Sequence, residues 1–229
     1  MKRLKSKFSV ISLALIMSLS LAACAPSQEP AQEAPQAPVE STETEQVEEA
    51  DVVKDAANAY FANMPENIYK IDEKELVEKV KAEEDILVVD IRSNEDYNKG
   101  HLKNAVNIPW GPAIAENLEN LPVDKDIYLY CYTGQTAGQA TALLNMAGYN
   151  VRSINLGWKL GLSNVEGIEE VTQTEAVELV KSTPADIAPE LKDAIKVYFD
   201  ELVAAKGTTY ENHKISEDVA KALLDAKDE

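Results

Sequence analysis

Ile127-Tyr128-Leu129-Tyr130-Cys131-Tyr132-Thr133-Gly134-Gln135-Thr136-Ala137-Gly138 passes from an apolar run, through a short polar loop, into a helix-like stretch ending at Met146 and Ala147, with Gly148 as its stop. The apolar run shows no alternation of polar and apolar residues. That pattern belongs to a strand covered on both faces, as in a parallel sheet. Cys131 therefore stands at the C-terminal end of a buried strand, facing a helix N-terminus. Backbone N–H groups and the helix dipole stabilise anions there, and they favour the thiolate, which is the nucleophilic form. Position alone leaves two readings open: a reactive thiol, or an inert core cysteine of a common kind.

The flanking sequence repeats the strand and helix alternation. Ile86 to Asp90 and Asn150 to Ile154 read as further strands, Ala105 to Ile108 as a short one, and Ile68 to Ile71 as an extended segment. Val52 to Met64, Glu75 to Lys81 and Ala113 to Glu119 read as helices. Strand, helix, strand within about thirty residues is a right-handed crossover unit. The fold class is α/β: three layers, with a central, mainly parallel sheet flanked by helices. Cys131 lies at the strand ends, where such sheets bind ligands.

Residues 67–172 resemble a rhodanese-like domain. The resemblance rests on Val88-Val89-Asp90-Ile91-Arg92, Tyr97, Gly100-His101-Leu102, Ala105-Val106-Asn107-Ile108-Pro109, Tyr130 to Ala137, Ala147-Gly148-Tyr149 and Leu156-Gly157-Trp158, in that order. It implies a sulfurtransferase in which Cys131 takes sulfane sulfur from a small donor (polysulfide, persulfide or thiosulfate) and passes it, as a persulfide, to a thiol or cyanide. The substrate-binding loop would be Tyr132, Thr133, Gly134, Gln135, Thr136 and Ala137. Gly134 permits a backbone turn that a Cβ would resist, and Thr133, Gln135 and Thr136 offer side-chain donors. Asp90, Arg92 and His101 read as structural groups near the site. Trp158 reads equally as a wall of the site mouth or a closure of the core. The chemistry calls for no cofactor and no metal, and His101 and His213 are the two histidines of the chain.

One departure matters. Many members of that family carry Arg or Lys as the sixth loop residue, and related phosphatases and arsenate reductases carry arginine as the seventh. Here these positions are Thr136 and Ala137. An oxyanion transition state relies on such a guanidinium, so phosphatase and arsenate-reductase readings weaken. A donor less charged than thiosulfate is expected. A non-catalytic rhodanese-like binding module is the alternative reading. Thiol–disulfide exchange is disfavoured, since no C-x-x-C provides a resolving cysteine.

The N-terminus points to export. Lys2, Arg3, Lys5 and Lys7 precede an apolar stretch, Phe8 to Leu21, too short for a comfortable membrane span. Leu21-Ala22-Ala23-Cys24 follows, as in a bacterial lipoprotein signal. Residues 1–23 are expected to be cleaved, with Cys24 lipidated, and the protein to be anchored on the extracytoplasmic face of the cell membrane. Cys24 so used leaves Cys131 unpaired, a free thiol in an exported protein. Residues 24–51, rich in Pro, Glu and Gln, read as a disordered stalk with a span of about 30 Å. Loss of the four N-terminal cations takes the formal charge from −18 to about −22. Such a surface excludes nucleic acid and attraction to anionic lipid.

A leading helix is expected at 52–66 and a helical tail at 173–229. Val53 to Phe61 and Leu191 to Phe199 share five of nine residues, and Lys70-Ile71-Asp72-Glu73 parallels Lys214-Ile215-Ser216-Glu217. The tail thus resembles the start of a second, truncated rhodanese-like domain. Helices are expected at Pro189 to Ala205 and Glu217 to Ala226, either packed on the first domain or poorly ordered. Two unrelated amphipathic helices would give a similar pattern.

Overall fold

The computed structural model describes the backbone of residues 42–226 and the side chains of residues 51–226. The expected signal peptide, Cys24 and the stalk as far as residue 41 lie outside the described residues. Helix α1 (Thr42–Ala62) comes first, followed by β1 (Lys70–Ile71), α2 (Glu73–Lys81), β2 (Leu87–Asp90) and α3 (Asn94–Lys99). Then come β3 (His101–Leu102), β4 (Val106–Asn107), α4 (Pro112–Glu116), β5 (Ile127–Tyr130), α5 (Gln135–Met146) and β6 (Val151–Ile154). Short helical turns cover 157–171 before β7 (Thr172–Gln173), α6 (Pro189–Ala204) and α7 (Glu217–Asp225).

Five strands form one parallel sheet in the order β1-β6-β5-β2-β4, with β5 central, between β6 and β2. β3 and β7 pair separately and antiparallel. The strands are apolar on both faces, because successive side chains point to opposite sides. Val89, Ile127 and Leu129 enter a core with α5 and α6, while Val88, Tyr128 and Tyr130 enter a second core with Leu76, Val77 and Val80 of α2. The expected three-layer α/β architecture is the one observed.

Helix α2 shows why local sequence suffices for some elements. Asp72 caps it, accepting from the N–H groups of Lys74 (2.9 Å) and Glu75 (3.4 Å). Glu73 and Glu75 lie in the first turn and Lys79 and Lys81 in the last, matching the helix dipole.

Three boundaries differ from expectation. α1 begins at Thr42, so the last ten residues assigned to the stalk are helical. Ile68 and Tyr69 are not extended; both are left-handed, at φ 48° and 55°. The Tyr69 ring stacks on Tyr60 and its hydroxyl donates to the carbonyl of Asn63 (3.1 Å), which turns the chain at the end of α1. Finally, 172 is no division of the core. Leu191, Ile195, Phe199 and Leu202 of α6 are buried in the same cluster as Leu129 and Ala140. The tail packs on the domain. Among the described residues no helix is long and apolar enough to cross a membrane.

Candidate functional site

Cys131 follows β5 directly, and its side chain is a free thiol with 3% of the residue exposed. The loop returns on itself so that the N–H of Gly134 donates to Sγ at 3.1 Å. Gly134 is left-handed, at φ 90°, and serves as the N-cap of α5 without any side-chain cap. The first amides of a helix lack intrahelical partners. Uncapped by a side chain here, they offer an anion on the cysteine the donors it needs.

The outer side of the loop is held by backbone. The N–H groups of Trp158 and Lys159 donate to the carbonyls of Cys131 (2.8 Å) and Tyr132 (2.9 Å). These bonds hold the loop in the turn that sets the Gly134 N–H on the thiol. The approach is so close that a Cβ on Gly157 would lie 2.6 Å from the Cys131 oxygen, and one on Gly134 would lie 2.0 Å from the Asn155 oxygen. Residues 155–157 are themselves tied down: Lys70 donates to the Asn155 side chain (3.0 Å), and the Leu156 N–H donates to Glu73 Oε1 (2.8 Å).

A family model described as "Rhodanese-like domain" matches residues 72–163. A protein called "Sulfurtransferase" from Allochromatium vinosum is 33% identical over 89 residues, which are 39% of this chain and 81% of that protein. The chain belongs to the rhodanese-like family. It is also similar to "Thiosulfate sulfurtransferase PspE" of Escherichia coli, at 33% identity over 63 residues, 27% of this chain and 60% of the relative. A longer relative, "Adenylyltransferase and sulfurtransferase uba4" of Ogataea parapolymorpha, is 31% identical over 90 residues, 39% of this chain but 23% of its own length.

Within this rhodanese-like domain, Asp90 and Arg92 form a buried forked pair, with guanidinium contacts of 2.5–3.0 Å to both carboxylate oxygens. Burial works against the Arg92 charge, but the Asp90 carboxylate outweighs it and holds the guanidinium above its ordinary range. Arg92 also donates to the Gly100 carbonyl (2.7 Å) and lies over the Trp158 ring, 4.3 Å from its centroid. Trp158 therefore answers to both readings: it packs against the second core and borders a cleft with Arg92, Tyr132 and Lys159. Burial and the neighbouring Asp90 charge push the Tyr130 phenol well above its usual range. His101 is fully buried, stacked on Tyr97 at 3.6 Å, with its ring nitrogens against the carbonyls of Tyr97 (2.8 Å) and Glu175 (3.1 Å).

The loop side chains divide. Thr133 and Gln135 are exposed, Tyr132 and Thr136 half-buried, and Ala137 fully buried in the core under α5. The Ala137 side chain is part of the core beneath α5. The Tyr132 hydroxyl bonds Asp96 at 2.5 Å, and with Lys99 this holds the Asp96 carboxyl down to about 2. Among the described residues no group of three His, Cys, Asp or Glu side chains is arranged to hold a metal.

Sequence reasoning missed one group altogether. Residues 209–217 of the tail border a cleft with Gln135, the first residue of α5. Lys214 Nζ donates to Gln135 Oε1 at 3.1 Å, and Asn212 bonds both Trp110 Nε1 (2.9 Å) and Gln139 Nε2 (3.3 Å). Nothing in the local pattern of Asn212 or Lys214 signals this contact.

Proposed function

We propose that the protein is a sulfurtransferase that carries sulfane sulfur as a persulfide on Cys131. The observation that carries the reading is the Cys131 thiol, seated at the end of β5 beneath the uncapped start of α5, with the Gly134 N–H on its sulfur. Its relatives named as sulfurtransferases support the same chemistry. In the first step the Cys131 thiolate attacks the terminal sulfur of a polysulfide, persulfide or thiosulfate. A sulfur–sulfur bond forms to Cys131, and the donor's own sulfur–sulfur bond breaks, its electron pair leaving with the remaining fragment. In the second step an acceptor thiolate or cyanide attacks the outer sulfur and releases the Cys131 thiolate. The narrow exposure of Cys131 favours donors that present a terminal sulfur end-on.

The same proposal places the protein on the extracytoplasmic face of a bacterial cell membrane, anchored through lipid on Cys24. Leu21-Ala22-Ala23-Cys24 behind a short apolar stretch supports this. Incorporation of labelled palmitate in cells, lost in Cys24→Ala, tests it; equal labelling of both chains would overturn it.

The activity is tested by incubating the full-length chain in detergent with polysulfide, and separately with thiosulfate, and reading intact mass. A one-sulfur gain that cyanide or a thiol removes, absent in Cys131→Ser, is the expected result. No gain from either donor, while an alkylating agent still reaches Cys131, would instead make the domain a binding module.

A further inference from the structure

Residues 131–137 hold no cation, and the whole chain is strongly acidic, at −18. An anionic donor approaching Cys131 thus meets an unfavourable field unless positive charge is placed locally. Lys159 lies over the Tyr132 ring, 4.9 Å from its centroid, at one side of the loop, and Lys214 reaches its other end at Gln135. Lys214 is half-buried and its ammonium donates to the side chain of Gln135, the first residue of α5 and the neighbour of Gly134, whose N–H bonds the Cys131 sulfur. Among the described residues Lys214 forms no ion pair.

The segment that delivers Lys214 is built for that position. Asn212 and His213 are both left-handed, at φ 57° and 51°, a conformation rarely held by two successive non-glycine residues. The turn is fastened by the Asn212 bonds to Trp110 and Gln139, by Tyr198 donating to Gln139 (3.0 Å), and by His213 packed edge-on against the Tyr198 ring at 4.7 Å. Glu211 and Glu217 border the same cleft as Lys214 and Gln135. Glu211 turns away to accept from the Gly207 N–H (3.0 Å). Tyr198, Gly207, Glu211, Asn212, His213, Lys214 and Glu217 lie beyond residues 72–163, the span matched by the family model.

We propose that Lys214, brought by the C-terminal segment to Gln135 at the end of the Cys131 loop, binds the anionic end of the sulfur donor and supplies a cation that residues 131–137 lack. The inference rests on the sulfurtransfer reading for its substrate, but not for its electrostatics. With thiosulfate, Lys214 would hold the sulfonate oxygens while the Cys131 thiolate takes the outer sulfur and sulfite leaves with the electron pair; charge is the same on both sides.

Two measurements on the full-length chain separate the inference from the reading beneath it. The first is the ratio of alkylation rates of Cys131 by iodoacetate, an anion, and iodoacetamide, its neutral counterpart. Lys214→Glu is expected to lower that ratio about threefold or more at low salt, with the difference shrinking as salt is raised. Lys214→Arg should keep it. So should Lys125→Glu, which makes the same charge change near the opposite end of β5. The second is sulfur loading by thiosulfate, which should fall in Lys214→Glu and persist in Lys214→Arg. An unchanged alkylation ratio in Lys214→Glu overturns the inference, as does a native Cys131 that neither reagent reaches. A ratio that follows Lys214 in a protein that no donor can load keeps Lys214 as an anion-binding group and removes the sulfurtransfer reading instead.

Discussion

Gly157 shows how tightly single residues determine the Cys131 loop. It is left-handed at φ 62°, and a Cβ there would meet the Cys131 oxygen at 2.6 Å, the Thr133 nitrogen at 2.7 Å and the Gly134 nitrogen at 2.8 Å, all of them backbone. Backbone cannot swing aside as a side chain can. Gly157→Ala is expected to cost about 1–3 kcal/mol from the backbone conformation and to displace the Gly134 N–H from the sulfur. Cys131 sulfur loading should fall by more than tenfold in a chain that still unfolds cooperatively, and unchanged loading would show that the loop tolerates the shift. Asp96 gives a second test at this scale. Its largest support is the Tyr132 hydroxyl, followed by Lys99, which together take the carboxyl from 3.8 to about 2. A carboxyl lowered on folding adds stability that is present above its unfolded value and is lost as pH falls through its folded value. The contribution therefore disappears between about pH 4 and pH 2. Tyr132→Phe should return the Asp96 titration toward its ordinary midpoint, as followed by carboxyl NMR shifts; a midpoint that stays near 2 would assign the effect to Lys99.

Among the elements, α1 and α6 carry the repeated segment and show what repetition does not decide. Phe61 and Phe199 occupy equivalent places in it, yet Phe61 is 68% exposed and Phe199 is fully buried against Trp110 and the core. α6 packs against both α1 and α4 and its apolar stripe enters the core, whereas Phe61 at the end of α1 lies outside it. Phe199→Ala is expected to destabilise by about 3–5 kcal/mol, the usual cost of an emptied aromatic site. Phe61→Ala should stay within about 0.5 kcal/mol. Denaturant unfolding of the two variants checks this, and comparable costs would mean that α1 packs more closely than its exposure indicates. The strands were legible for a simpler reason. Unbroken apolar runs such as Ile127 to Tyr130 can be satisfied only by cover on both faces, and the sheet provides it.

For the whole molecule, the tail is part of the domain and of its site. Ending the chain after Ala188 would uncover Leu191's partners and the wall beneath Trp110, and would remove Lys214 together with its fastening. Such a chain is expected to lose several kcal/mol of stability and to bind a dye for exposed apolar surface. A truncated chain with the full-length melting point and no dye binding would show that the tail is dispensable to the core.

The α/β class, the central strands and the cysteine at a strand end could all be read from residue order. Each rests on neighbours within a few positions: apolar runs, a glycine at the turn, a cap such as Asp72. What could not be read that way depends on residues far apart in the chain. The burial of Ala137 follows from how α5 rolls against the sheet, and the rejection of a Cβ at Gly157 from its approach to residues 131–134. The arrival of Lys214 at Gln135, 79 positions away, follows from α6 docking beside α1. Local pattern records what a segment prefers, and packing alone determines which distant segment it meets.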